Sequence, residues 1–291
     1  ELENERVKLA KRDRKEANGL LDAVVAQDVP RVTHLLAIGV NPDARIDSAH
    51  PCRGNGAGDG MSALTIAIAM GNVPIARLLL EAGASMKLVD VKDKATPLMI
   101  AAAMNKLEGA QLLVEWSAKL NAVSKSGKTA LIRAVQEGHA AMVQFLVDSG
   151  ADLNVKDGEG MTALSWAAFE GHLEPTRILL NARAELDLED KDSLTPAEMA
   201  LLKKHFAILE LLLRHGASSH RAAVLPKKQG AEWTEDEANR MRMVLTNLEE
   251  QPSVVHLLAD HGDICEKAHL DLQLSGNGLT QVVRALRQVG C

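Results

Sequence analysis

A short segment that begins with Ser or Thr and opens an alanine-rich apolar run recurs along this chain at a nearly constant interval. It begins at Ser62, Thr96, Thr129, Thr162 and Thr195, so the successive steps are 34, 33, 33 and 33 residues. A fixed period of this length is typical of stacked repeats, in which each unit buries its apolar face against its neighbours. The period therefore favours an array of similar units over a compact enzyme core.

Each unit has the pattern of two helices followed by a loop. In the unit that starts at Thr162, the hydroxyl residue precedes an apolar run with helical spacing, as an N-cap residue does. Gly171 interrupts this run, and a second apolar segment follows at residues 178–180. The polar, alternating segment at residues 185–193 is predicted to be an extended loop or a β-turn.

These segments resemble the ankyrin repeat, whose pattern is roughly T-P-L-H-x-A-A, then G-H, L-L-L and G-A-D-V-N. The closest matches are Thr96-Pro97-Leu98 and Gly150-Ala151-Asp152-Leu153-Asn154. The resemblance implies an all-α fold, an ankyrin-repeat solenoid of stacked helix–turn–helix units with β-turn or loop fingers. The histidine of the family's first helix is absent, and its position is held by Thr65, Met99, Ile132, Ser165 and Glu198.

Two helix ends depart from the repeat pattern. Ser117 and Arg183 stand where Gly83, Gly150 and Gly216 close other second helices. Because a residue with a side chain costs about 1 kcal/mol in a left-handed cap, we expect these two junctions to be looser or differently capped.

The array is predicted to occupy residues 18–220, with a charged helix or cap at residues 1–17 that is solvated or, alternatively, binds a partner. A glycine-rich segment at residues 48–60 has the composition of a long loop insertion. Residues 221–236 are interpreted as an elongated finger or a break in the array. Residues 237–291 are predicted to form two divergent capping repeats, because the outer face of a terminal repeat meets water.

Composition limits the class of protein. The chain is 46% hydrophobic but only 2% aromatic, so its core must be aliphatic and offers little for an aromatic-lined cofactor pocket. Its net charge of −6 does not suit a general nucleic-acid binder, which needs a basic stripe. No uncharged apolar stretch is long enough to span a membrane.

The three cysteines and the first residue bear on the compartment. The cysteines lie far apart in the sequence, which argues against a disulfide scaffold and favours a reducing intracellular compartment. The cytoplasm is favoured, and an organelle is the alternative. The sequence begins with Glu1, which either a processed targeting peptide or a trimmed N-terminus would explain.

No catalytic constellation or cofactor motif is present, and we predict no catalytic residue, cofactor or metal. Three of the ten histidines share one repeat position, which indicates packing or capping: His139, His172 and His205. His50 and Cys52 are two ligands where a structural zinc site needs four. The acids of the loops are predicted to be solvated tips: Asp90, Asp93, Asp187, Glu189, Asp190 and Asp192. An enzyme within residues 221–291 is the weaker alternative.

The ankyrin resemblance implies a concave surface made of the finger tips and of the two residues that close each first helix. The partner-binding residues predicted from it are Met70, Met104, Lys125, Lys128, Glu137, Lys156, Met161, Trp166, Phe169, Glu170, Lys191, Leu202 and Lys203. Methionines and an aromatic anchor suit protein binding. The alternative is that the apolar side chains pack into the neighbouring repeat, and Trp166 in particular faces either the groove or the inter-repeat core.

We therefore expect a non-enzymatic scaffold or adaptor that binds one or more proteins, does not bind nucleic acid and has no membrane span. The alternative is a fixed structural subunit of a large multi-protein complex, in an organelle for example. Trp233 in the polar segment is interpreted as an anchor that docks on the array or on a partner. Fold membership alone does not identify the partner or the pathway.

Overall fold

The computed structural model of this protein describes residues 2–46, 60–87 and 93–217, with side-chain surroundings from Arg14 onward. Several predictions fall outside these residues. They are the insertion at 48–60 except Gly60, the segment at 221–236, the capping repeats at 237–291, and the single residues His50, Cys52, Asp90 and Trp233.

The described residues form helices and turns and contain no strand, which confirms the all-α class; one isolated bridge pairs Arg45 with Ser62. The helices are α1 (Leu2–Val25), α2 (Val29–Ala37), α3 (Ala63–Met70), α4 (Val73–Glu81), α5 (Pro97–Ala103), α6 (Leu107–Glu115), α7 (Ala130–Gln136), α8 (Ala140–Asp148), α9 (Ala163–Glu170), α10 (Leu173–Asn181), α11 (Pro196–Leu202) and α12 (Phe206–Arg214). Within these described ranges every helix is too short or too polar to cross a bilayer.

The chain divides into two compact units, Glu1–Asp152 and Leu153–Cys291. In the first unit α1 to α8 form four helix pairs, and the first helices of the pairs pack in series, α1 on α3, α3 on α5 and α5 on α7. The second helices α2, α4 and α6 also pack in series. In the second unit α9 pairs with α10 and α11 with α12, while α9 packs on α11 and α10 on α12. Each unit is thus a stack of helix pairs.

The Ser or Thr that opens each repeat caps the following helix, as the sequence predicts. Each side-chain oxygen accepts a hydrogen bond from the backbone N–H three residues later, which satisfies one of the unpaired donors of the first turn. The five bonds are Thr65 to Ser62 (3.2 Å), Met99 to Thr96 (3.4 Å), Ile132 to Thr129 (3.2 Å), Ser165 to Thr162 (3.2 Å) and Glu198 to Thr195 (3.4 Å).

The two second helices without a closing glycine end as the others do. Ser117 and Arg183 adopt φ of 64° and 63°, in the same left-handed region as Gly150 at 87°. In all three junctions the next N–H donates to a carbonyl of the last helical turn: Ala118 to Leu113 (2.9 Å), Ala184 to Leu179 (3.0 Å) and Ala151 to Leu146 (3.0 Å). The prediction of a different cap is therefore wrong, because the backbone hydrogen bond is kept although the left-handed backbone is strained for a residue with a Cβ.

The charged N-terminal segment and the start of the array are one helix. Helix α1 runs from Leu2 to Val25 without an end at residue 17. Its described side chains are exposed or half-buried up to Gly19 and become buried at Leu20 and Leu21. The last two turns of α1 therefore provide the apolar face on which α2 and α3 pack.

Candidate functional site

In the first unit the ends of the first helices carry methionines. Met70 ends α3 and Met104 caps α5, one repeat later. Met104 is 46% exposed and Met70 is half-buried, whereas Glu137 at the end of α7 is exposed. The first unit thus presents flexible apolar side chains at two predicted contact positions and an acid at the third.

The finger of the first unit that precedes α7 is a tight turn joined to the finger before it. The turn closes through a hydrogen bond from the Gly127 N–H to the Ser124 carbonyl (3.0 Å). The Lys125 N–H donates to the Asp93 carbonyl at 2.7 Å, which links the two fingers through their backbones. The side chain of Lys125 is exposed and that of Lys128 is half-buried.

A half-buried ion pair between Asp93 and Arg133 reinforces this link. The Asp93 carboxylate accepts hydrogen bonds from the Ser126 N–H (3.0 Å), from the Ser126 hydroxyl (3.2 Å) and from the Arg133 guanidinium. Burial acts to raise the pKa of Asp93, but the Ser126 hydrogen bonds and the Arg133 charge outweigh it and hold that pKa below its ordinary value. The prediction that Asp93 is a solvated tip is wrong, because its carboxylate joins two fingers and a helix.

One feature of the sequence does indicate the ion pair between Asp93 and Arg133, although the repeat pattern alone does not predict it. Arg133 lies on α7 at the repeat position that is held elsewhere by Ile66, Ile100, Trp166 and Met199. A cation at an otherwise apolar position indicates a nearby acidic side chain, because an unpaired charge is costly to bury. The Nε of Arg133 is itself buried and makes no hydrogen bond within the described residues.

In the second unit an aromatic pair lies at the end of α9. The rings of Trp166 and Phe169 meet edge to face, with centroids 5.8 Å apart and an interplanar angle of 75°. The Lys203 ammonium lies 4.1 Å from the Phe169 centroid, within the range of a cation–π interaction. The Trp166 indole N–H donates to the Asp157 carboxylate at 2.8 Å, so this half-buried ring links α9 to its own finger.

The other predicted contact residues of the second unit divide by exposure. Glu170, Lys191 and Leu202 are exposed, Leu202 at 46%. Lys156 is exposed while its ammonium donates to the Glu189 carbonyl at 2.7 Å.

Met161 does not reach the surface. Its side chain is only 7% exposed, and its N–H donates to the Asp157 carboxylate at 3.0 Å. It immediately precedes the N-cap Thr162, a position from which apolar side chains often pack back on the helix. The prediction that Met161 contacts a partner is therefore wrong.

The periodic histidines pack as predicted where their contacts are described. The Nε2 of His139 lies 3.1 Å from the Ala103 carbonyl, and that of His205 lies 3.2 Å from the Phe169 carbonyl. A carbonyl only accepts, so each Nε2 carries the proton. These bonds join the start of a second helix to the end of the first helix in the previous repeat, α8 to α5 and α12 to α9. His172 occupies the same place before α10.

Glu198 is the most buried acid that the structure describes, with no exposed surface. Its Oε2 accepts from the Thr195 N–H (2.7 Å) and hydroxyl (3.0 Å) and so completes a capping box. Its Oε1 is buried and has no hydrogen-bond partner among the described residues. Burial raises the pKa of Glu198, the Thr195 hydrogen bonds act to lower it, and the charges of Glu189 and Asp190 raise it further.

We expect Glu198→Gln to stabilise the second unit at neutral pH. The folded-state pKa of Glu198 lies above its ordinary 4.5, so ionisation destabilises the folded protein as pH rises from that value through the folded pKa. Glutamine keeps the capping box without the charge. Urea unfolding should show the gain at neutral pH and a smaller gain in acid. Glu159→Gln on an exposed finger is the control; an equal gain there, or one independent of pH, would contradict the assignment.

No group of three or more His, Cys, Asp or Glu side chains in the described parts of the chain is placed to hold a metal ion. The carboxylates of Asp93, Asp157 and Glu198 each accept hydrogen bonds from neighbouring backbone, hydroxyl, indole or guanidinium groups. These hydrogen bonds hold fingers and helices in place.

This chain is similar to known proteins in sequence and in fold. A family model described as "Ankyrin repeats (3 copies)" matches residues 20–124, 86–157 and 131–222. The crystal structure of an ankyrin repeat domain from Acinetobacter baumannii is similar, with a TM-score of 0.60 and 30% identity, and the match covers 68% of this chain and 98% of that one. The B-cell lymphoma 3 protein homolog of Mus musculus is 37% identical over 86 residues, which are 30% of this chain but only 19% of the mouse protein.

The family matches run from residue 20 to residue 222, more than half of the chain. They cover the capped first helices, the left-handed helix ends and the finger turns of both units. Ankyrin repeats are generally protein–protein interaction modules and are typically not enzymes. On its sequence and its helix pairs alike, this chain belongs to the ankyrin-repeat family.

Proposed function

We propose that this protein is a non-enzymatic scaffold or adaptor that binds partner proteins at the ends of its first helices and at its fingers. The observation that carries the proposal is the exposure of Met104 and Leu202, each 46%, although almost all other large aliphatic side chains of the first helices are buried. Burial of these apolar side chains against a partner would remove them from water, which favours association.

The other predicted contact residues would supply the rest of the binding surface in each unit. In the first unit they are Met70, Lys125, Lys128 and Glu137, and in the second they are Lys156, Trp166, Phe169, Glu170, Lys191 and Lys203. The Phe169 ring is already held by Trp166 and Lys203. A contact residue that is ordered before binding loses less conformational entropy when the complex forms.

We expect Met104→Arg and Leu202→Arg, each tested alone, to reduce partner capture at least about tenfold, which corresponds to about 1.4 kcal/mol. Arginine at the centre of an apolar contact must be desolvated without a partner. The full-length chain would be immobilised, incubated with native extract, and its bound proteins quantified by mass spectrometry.

Ile38→Arg is the matched control, because Ile38 is 57% exposed but caps the second helix α2. Circular dichroism must show the same helix content for all three variants. Capture that is unchanged by both Met104→Arg and Leu202→Arg, or equally reduced by Ile38→Arg, would reject both contact sites.

The alternative function, a fixed subunit of a large assembly, is tested in the same extract. It requires that the protein co-migrate with a large complex at stoichiometric yield. An exchangeable adaptor instead elutes largely apart from its partners and rebinds them when they are added back.

A further inference from the structure

Two neighbouring fingers of the first unit place lysines side by side. Lys94 follows Asp93, whose carbonyl accepts the 2.7 Å hydrogen bond from the Lys125 N–H. The side chains of Lys94 and Lys125 are both exposed. Lys128 follows Lys125 by three residues; its N–H donates to the Ser124 hydroxyl, and its carbonyl accepts from the Ser124 N–H. We call Lys94, Val123, Lys125 and Lys128 the basic finger surface.

Lysines outnumber acids in the described parts of these two fingers. Asp93 is the one acid within the described residues 93–96 and 122–129. Its carboxylate is paired with Arg133, so these two charges cancel. Lys94 and Lys125 make no ion pair with any described residue, so these two fingers offer exposed positive charge although the whole chain carries a net charge of −6.

An aliphatic side chain lies within the same finger. Val123 is 55% exposed and precedes Lys125 by two residues. Residues 93–96 and 122–129 contain no aromatic ring on which a nucleic-acid base would stack. An apolar contact beside positive charge therefore suits a peptide better than a nucleic acid.

We infer that the basic finger surface selects an acidic protein segment that carries an aliphatic side chain. Carboxylates of the partner face Lys94 and Lys125, and its aliphatic side chain contacts Val123. This inference rests on the proposed function and adds the chemistry of the partner. Exposed ion pairs each contribute little, so the lysines act through the rate of association and the choice of partner, and salt weakens both effects.

The test uses the full-length chain and a short fluorescein-labelled peptide rich in Glu with interspersed Leu. Fluorescence anisotropy should show binding that Lys94→Glu/Lys125→Glu weakens at least about tenfold. Raising NaCl from about 0.15 to 0.5 M should weaken it as well. Val123→Ser should weaken binding without changing its salt dependence.

Lys15→Glu/Arg31→Glu is the matched control, because it makes the same change of net charge at exposed residues on α1 and α2. Lys94→Asn/Lys125→Gln is a second binding variant, in which Asn tolerates the φ of 53° at residue 94. A charge-reversed peptide bound equally well, or variants within about twofold of the wild type, would overturn the inference. Tighter binding of a single-stranded oligonucleotide of the same charge would also overturn it.

Either proposal can be rejected while the other stands. If Met104→Arg or Leu202→Arg abolishes capture from extract but the lysine variants bind the acidic peptide normally, the proposed function stands and the acidic partner is rejected. If the acidic peptide binds as expected while Met104→Arg and Leu202→Arg capture normally, the basic finger surface stands and the helix-end surface is rejected.

Discussion

Replacement of Gly171 by alanine is expected to destabilise the second unit by about 3 kcal/mol, from left-handed strain together with overpacking. Gly171 has a φ of +84°, and a Cβ built there lies 2.6 Å from Cε1 of His205. That ring cannot move away without loss of its 3.2 Å hydrogen bond to the Phe169 carbonyl. Urea unfolding followed by circular dichroism would measure the loss, and hydrogen exchange would show which unit opens.

Gly216→Ala separates the two causes. Gly216 has a φ of +89° and nothing within 4 Å of its Cβ position, so it tests backbone strain alone and should cost about 1 kcal/mol. Adding His205→Ala to Gly171→Ala should recover the steric part of the loss. Equal losses for Gly171→Ala and Gly216→Ala would show that the His205 contact does not matter.

Asp93→Ala is expected to destabilise the first unit by about 2 kcal/mol, because it removes three hydrogen bonds and leaves the partly buried Arg133 without its carboxylate. The change is measured by urea unfolding, again with hydrogen exchange to assign the unit. The matched variant is Asp93→Ala/Arg133→Ile, which introduces the residue that stands at the equivalent positions 66 and 100. It should lose less stability than Asp93→Ala alone, because no unpaired charge remains.

The pH dependence of Asp93→Ala follows from the lowered pKa of this acid. A carboxylate whose folded-state pKa lies below its ordinary 3.8 stabilises the fold above that pH, and the contribution is lost as pH falls through the folded value. The gap in stability between wild type and variant should therefore be constant near neutral pH and narrow in acid. A gap that widens in acid would contradict the assignment.

The local features of the repeat were predictable because they depend on a few adjacent residues. A Ser or Thr at the start of an apolar run predicts an N-cap, and the structure confirms all five. The left-handed ends at Ser117 and Arg183 were recognised by position. The prediction of a different cap there was wrong, because the closing hydrogen bonds use backbone groups that every residue has.

Side-chain partners across repeats were not predictable in the same way. Asp93 and Arg133 are 40 residues apart, and only the stacking of their fingers and helix brings them together. Met161 was assigned to the surface by its place in the finger, yet it is buried. Its burial depends on how the finger folds back against the helix, which the repeat pattern does not specify.

Sequence alone predicts the 33-residue repeat, the N-caps of the first helices, the all-α ankyrin-repeat class and the aliphatic core. Each of these features depends on composition, on periodicity or on a local hydrogen bond. Which side chains at those periodic positions face outward follows instead from how the folded chain packs. It buries Met161 and Glu198, pairs Asp93 with Arg133 and leaves Met104, Leu202 and Val123 exposed. The physical reason is that exposure is set by contacts with neighbouring fingers and helices, which the spacing of residues along one repeat does not contain.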